Sequence, residues 1–200
     1  MRAGRRMAEP HSDNVELVRQ LARGNQAAFH SLYERYQRPI FRFAWHMSGN
    51  QTTAEEVTQE VFLRLITNPR KFDPAKGSLA GYLFGIARNV MRGHIRNSIL
   101  DVPLEDELLE DDAALAAESD VLLGIDRQEK LELLRRSVLA LPEPYRAALI
   151  LCELEEMSYP EAAAVLRCPP GTVASRLHRA RSMLKSRLKA MGVCNESAKR

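Results

Sequence analysis

A chain of 200 residues with 45% hydrophobic content has room for one large or two small domains, each with a buried core. Its net charge of +3 hides a separation: Asp101 to Asp126 holds ten acidic residues and no lysine or arginine, which leaves +13 on the remainder. With no apolar run near the roughly 18 residues of a membrane span, no C-x-x-C pair and no phosphate-loop, dinucleotide or hydrolase fingerprint, the sequence excludes the commonest membrane, zinc and catalytic classes.

Residues 1–13 are polar and charged and are expected to be disordered; MRAGRRMAEPHSD lacks the apolar centre of a secretory signal. From Asn14, the pattern Val15, Leu17, Val18, Leu21, Ala22 predicts a helix that Gly24 closes. Ala27 to Met47 continues helical with a broad apolar stripe including Phe29, Leu32, Tyr36, Ile40, Phe43 and Ala44, and Pro39 is expected to bend or divide it. Thr53 with Glu56 reads as a capping box opening the next helix, which turns Val57, Val61, Leu65 and Phe62 inward. Its outer face carries Glu56, Gln59, Glu60, Leu63 and Arg64. That surface is either ordinary solvated helix or an acidic docking face for a basic protein partner.

Residues 68–78, NPRKFDPAKGS, form a Pro/Gly loop that leaves Phe72 exposed and includes Lys76. A helix from about residue 79 to 97 follows, with Leu79, Leu83, Ile86, Ala87 and Val90 on its apolar side. Tyr82, Arg88, Asn89, Arg92, His94 and Arg96 give it an aromatic ring and many donors. The combination suits single-stranded DNA, since a ring stacks on an unpaired base while cations hold its backbone. A basic helix with a core tyrosine explains the same residues. Residues 98–127 then shift to an acidic, flexible linker that marks a domain boundary.

Residues 128–141 are amphipathic, with Leu131, Leu134, Val138 and Leu141 in phase, and Pro142-Glu143-Pro144 separates them from a helix over 145–155. There Ala148, Leu149, Leu151, Cys152 and Leu154 are expected inward. Ser158 with Glu161 forms a capping box, Arg167-Cys168-Pro169-Pro170 a break, and Val173, Leu177, Ala180 and Leu184 the apolar stripe of a longer helix. Between Arg167 and Lys189 there are seven basic residues and no acidic one. A capped short helix, a prolyl turn and a one-sided basic helix describe a helix-turn-helix, whose second helix enters the DNA major groove. A solvated basic helix in a helical hairpin is the plainer alternative.

The order of these pieces resembles the extracytoplasmic-function (ECF) sigma factors of bacterial RNA polymerase. AFHSLYERYQRPIFRFA, AEEVTQEVFLRL, GYLFGIARN and LPEPYRAALILCELEEMSYPEAAAVLRCPPGTVASRLHRAR are similar to four family motifs in family order. The resemblance implies an all-α chain: a sigma-2 domain at 14–97, an acidic flexible linker at 98–127, a sigma-4 domain at 128–190 and a tail at 191–200. It implies that Glu56, Gln59, Glu60, Leu63 and Arg64 contact core polymerase. Phe72, Lys76, Tyr82, Arg88, Asn89, Arg92 and Arg96 would recognise and melt the minus-10 element. Thr172, Ala174, Ser175, Arg176, His178 and Arg179 would read the minus-35 element, with Arg176 and Arg179 foremost.

The partners so implied are core RNA polymerase through its β′ and β subunits, promoter DNA and an anti-sigma factor. The chain would work in the cytoplasm without direct membrane insertion, cofactor, metal or catalysis. Tyr82 departs from the family's usual tryptophan, Gly93 from a position often acidic, and Ala174 from one often basic. A conventional dimeric helix-turn-helix regulator acting without polymerase is the second reading, and a nucleic-acid enzyme a third.

Overall fold

The computed structural model describes residues 11–100 and 127–191, and all regular structure among them is helical. Helices α1 (His11–Leu21), α2 (Gln26–Ser48), α3 (Gln51–Thr67) and α4 (Leu79–Leu100) form an amino-terminal group. Helices α5 (Arg127–Leu139), α6 (Glu143–Leu149), α7 (Tyr159–Leu166) and α8 (Pro170–Ala190) form a carboxy-terminal group. Helix α1 starts at His11, so residues 11–13 are helical rather than disordered. The reason is a long-range anchor: Arg35 on α2 donates to Asn14 Oδ1 at 2.6 Å and pairs with Asp13 at 3.3 Å. Residues 1–10, 101–126 and 192–200 lie outside the described residues, and with them most of the expected disordered start, linker and tail. The linker expectation was too wide at both ends, because α4 runs to Leu100 and α5 begins at Arg127.

Local chemistry sets the helix ends. Asn25 caps α2 by accepting from the Ala27 and Ala28 amides at 2.9 and 3.3 Å. Helix α2 continues unbroken through Pro39, because the residues around it, Tyr36, Ile40 and Phe43, are buried and their packing offsets the lost hydrogen bond. Gly49 ends α2 in the left-handed region with φ 71°. A Cβ there would also meet Leu139 Cδ1 of the carboxy-terminal group at 2.8 Å. The Thr53–Glu56 capping box is not formed. Asn50 precedes the helix and accepts from the Thr53 amide at 3.0 Å, which starts α3 three residues earlier, at Gln51 rather than Ala54.

Residues 68–78 fold into two 3₁₀ turns, Pro69–Lys71 and Pro74–Lys76. Phe72, expected to be exposed, is buried beneath them against Tyr82, with ring centroids 5.6 Å apart. Helix α6 stops at Leu149 and passes into a π turn, Ile150–Leu154, closed by the Glu155 amide on the Ile150 carbonyl. The wider turn shifts phase, so Leu154 points outward at 40% exposure. Cys152 is only half-buried.

Helix α7 carries the expected box: Glu161 accepts from the Ser158 amide at 3.0 Å while Ser158 Oγ caps the Glu161 amide. Its other end closes on Arg167, held left-handed at φ 53° with its amide, like that of Cys168, directed at the Ala163 carbonyl.

The two groups share one apolar core. Leu32, Ile40, Phe43, Val61, Leu65 and Leu83 of the first are contiguous with Ile150, Leu151, Val165 and Val173 of the second, through helix α4 against α7. Val138, Leu141, Leu149, Leu177 and Ala180 make a smaller cluster within the second group. Leu131 and Leu134, expected in a core, are 57% and 39% exposed. They line an open groove of about 730 Å³ with Trp45, Val138, Leu149 and Leu184. Their periodicity was real, but the surface they face is not filled.

Replacing Ser158 by Ala removes one half of the box and should cost about 1 kcal/mol, measured by urea denaturation. His46 offers a pH prediction. Burial first, then Arg42 and Arg135, push its pKa below the ordinary 6.5, and its Nδ1 has no partner. The folded chain therefore favours the neutral ring, so this contribution is complete above pH 6.5 and is lost as acid protonates the unfolded state first. The melting temperature should fall below that pH, and less steeply in His46→Gln.

Candidate nucleic-acid and polymerase interfaces

Helix α3 presents a cleft rather than a flat acidic face. Glu56, Gln59, Leu63 and Arg64 are exposed and Glu60 half-exposed, with Arg64 Nε donating to Glu60 at 2.6 Å. Glu56 also lies 3.8 Å from His94 of α4. Between these groups, Phe29, Tyr33, Phe62, Leu63 and Ile66 line a depression of about 510 Å³. The Tyr33 and Phe62 rings meet at a 59° tilt with centroids 4.8 Å apart, and Leu63 and Ile66 remain 58% and 47% exposed. An apolar floor with a rim mostly of carboxylates fits a protein surface with apolar anchors and cations. Tyr33 and Ile66 were missed in the sequence. Ile66 carried a signal, since it stands three residues beyond Leu63 on a polar face.

The residues expected to engage the minus-10 element do not form one surface. Phe72 and Tyr82 pair as a partly buried aromatic step, and burial raises the Tyr82 pKa. Lys76 is fully in solvent beside Asp73 at 3.2 Å. About two to three turns further along α4, Asn89 and Arg92 are exposed. Arg88 is not: it is 9% exposed and donates to the Val165 carbonyl of α7 at 3.4 Å, with Nε unpartnered. Burial lowers its pKa, Glu143 opposes that, and Arg92, Arg167 and Arg176 add to it. Arg96 lies on α4, and its side chain is outside the described residues.

The first half of α8 does hold its candidate residues together. Val173, Leu177 and Ala180 are buried, which turns Ser175, His178 and Arg179 to solvent. Thr172 and Ala174 are half-exposed. Arg179 Nη1 donates to Tyr145 Oη at 3.3 Å, while Arg176 is half-buried with Nη1 3.7 Å from Cys168 Sγ. Arg181, facing away, is paired with Glu153. The helix opens on Pro169 and Pro170 without a side-chain cap, so its amino-terminal dipole is available to a phosphate. Cys152 is no nucleophile here, since burial, aided by Glu153, pushes its thiol up to about 11.

Both halves of the chain match known proteins. The family described as Sigma-70 region 2 matches residues 32–98, and that described as Sigma-70, region 4 matches residues 131–184. The ECF RNA polymerase sigma factor SigW of Bacillus subtilis is 30% identical over 178 residues, covering 86% of this chain and 95% of its own. This chain belongs to the ECF sigma factors. A second relative, the ECF RNA polymerase sigma factor SigE of Mycolicibacterium smegmatis, is 35% identical over 176 residues, and the match spans 84% of this sigma factor but 65% of that one. A solved structure described as the sigma factor RpoE in complex with the anti-sigma factor NepR from Bartonella quintana has a TM-score of 0.64 at 25% identity. It covers 80% of this chain and 96% of that chain.

As an ECF sigma factor the protein binds core RNA polymerase and directs promoter-specific initiation. The dimeric regulator is not supported, because sigma-70 region 2 occupies the part of the chain assigned there to a sensor. No described helix is long and apolar enough to cross a membrane.

If Arg179 forks onto a base, Arg179→Ala should lose about 1 to 3 kcal/mol of discrimination at one position of the upstream element, measured by transcription from single-base promoter variants. Arg176→Ala should lose less, because the side chain is partly committed to the turn.

Proposed function

We propose that the amino-terminal group, residues 14–97, is the unit that grips polymerase and opens the minus-10 element, and that residues 128–190 form the unit that reads the minus-35 element. The observation that carries this reading is the rimmed apolar cleft on α3, at the opposite kind of surface from the basic face of α8. In this reading Glu56, Gln59, Glu60, Leu63 and Arg64, joined by Tyr33 and Ile66, dock on a coiled coil of the β′ subunit. Lys76, Tyr82, Asn89, Arg92 and Arg96 meet the melted strand, with the buried Phe72 supporting the Tyr82 ring from behind and Arg88 added once it is uncovered. Thr172, Ala174, Ser175, Arg176, His178 and Arg179 lie toward the upstream duplex, while the carboxy-terminal group also meets the β subunit.

The protein has no catalysis of its own and works in the cytoplasm where polymerase is. Its activity is restrained by an anti-sigma factor, as the described complex of a similar sigma factor suggests. Run-off transcription with core polymerase on a promoter library tests the whole reading: specific transcripts only when both proteins are present support it, and none would end it. Glu60→Lys places a second cation beside Arg64 on the rim. It should weaken core polymerase binding by tenfold or more with an unchanged circular dichroism spectrum, and unaltered affinity removes Glu60 from the contact.

A further inference from the structure

The turn of the helix-turn-helix is made by an arginine in a conformation that glycine adopts without steric cost. Arg167 has φ 53° and ψ 49°, a left-handed closure in which a Cβ crowds the following carbonyl. Its side chain nevertheless stays in solvent. Burial of the side chain therefore does not account for the strain. What Arg167 does contribute is charge: its exposed guanidinium stands at the turn that leads directly into α8. Arg176 belongs to the half of α8 that carries the upstream reading face, and Arg167 stands at the end of the helix that crosses the DNA backbone in this motif.

We infer that Arg167 is a phosphate-gripping residue, held in a strained turn so that its guanidinium reaches the DNA backbone beside the recognition helix. This rests on the promoter-reading role proposed above. The test uses holoenzyme on promoter DNA across a salt series. Arg167→Gly should raise the urea midpoint of the free chain yet weaken promoter binding about tenfold. It should also reduce the slope of log affinity against log salt by about 0.9. Arg167→Lys, which keeps the charge and the strain, should bind nearly as wild type. If Arg167→Gly binds with an unchanged slope, the assignment fails while the promoter-reading role stands. If wild-type holoenzyme shows no promoter specificity, that role fails instead.

A second, independent observation concerns the seam between the two groups. Arg42 of α2 forms a two-pronged ion pair with Glu155 at 2.7 and 2.6 Å, and the Glu155 side chain is 3% exposed. On the other side of the seam, Arg88 is sealed against α7. Elements named minus-10 and minus-35 lie about 25 base pairs apart, or roughly 85 Å at 3.4 Å per pair. Arg88 and Val165 are in contact, so this arrangement does not span them. The 26 residues between Leu100 and Arg127 have a contour of roughly 86 to 94 Å, enough to let the groups part.

We propose that the Arg42–Glu155 pair is a latch that keeps Arg88 covered until the two groups separate. The chain's single tryptophan, Trp45, reports on it, since Arg135 of α5 lies over its ring at 5.6 Å. Arg42→Ala strands a buried carboxylate that opening would rehydrate. In the full-length free protein it should red-shift Trp45 emission, enlarge the radius of gyration in solution scattering and tighten binding to single-stranded minus-10 DNA about tenfold. The exchanged pair, Arg42→Glu with Glu155→Arg, should restore the compact form. An extended wild-type chain, an Arg42→Ala chain as compact as wild type, or opening without tighter DNA binding would each overturn the latch.

Discussion

Burial of apolar surface across the seam between α4 and α7 is the constraint on which the rest of this arrangement depends. It is non-directional and strong enough to bring together groups whose charges repel. Arg88, Arg92, Arg167 and Arg176 gather there, with Glu143 the counter-charge acting on Arg88. An arginine stays ionised at any physiological pH, so the repulsion cannot be relieved by losing a proton. It is relieved by a carbonyl, by water or by an anion, and nucleic acid is the anion that a sigma factor meets. Apolar burial at the seam thus outweighs the like-charge cost borne by Arg88.

The pair at Arg42 and Glu155 belongs to the same balance. Burial raises the Glu155 pKa, and Arg42 works against that rise. A carboxylate so enclosed stays charged only while its partner remains. Its position just after the π turn matters, because a regular helix through Ile150–Leu154 would have pointed residue 155 elsewhere. A local irregularity of backbone thereby sets a contact between elements more than a hundred residues apart in sequence.

Much of the architecture was legible because helices announce themselves locally. The stripe of α2, the box at Ser158 and Glu161, and the paired prolines before α8 each need only neighbours within a few residues. The misreadings have one physical source, which is that burial is decided by the whole fold. Phe72 sits in a polar loop and looked exposed, yet Tyr82, ten residues on, receives it. Leu131 and Leu134 have core periodicity but face an unfilled groove. Arg88 looked like a free donor, and only the docking of α7 shows it covered. At α3 the error was smaller: an asparagine one residue before the helix competed with a threonine inside it, and proximity to the open amide decided the cap.

Gly49 carries two demands at once. Its φ of 71° admits asparagine or aspartate at modest cost, as left-handed caps often do. A Cβ there would also reach the tip of the Leu139 side chain at 2.8 Å, so Leu139 would have to turn aside to admit it. Leu139 is only half-buried and can do so, which leaves the left-handed backbone as the stronger of the two demands. The end of one helix thus limits how a leucine from the far half of the chain can lie, and a substitution at Gly49 would be felt first in that side chain's rotamer.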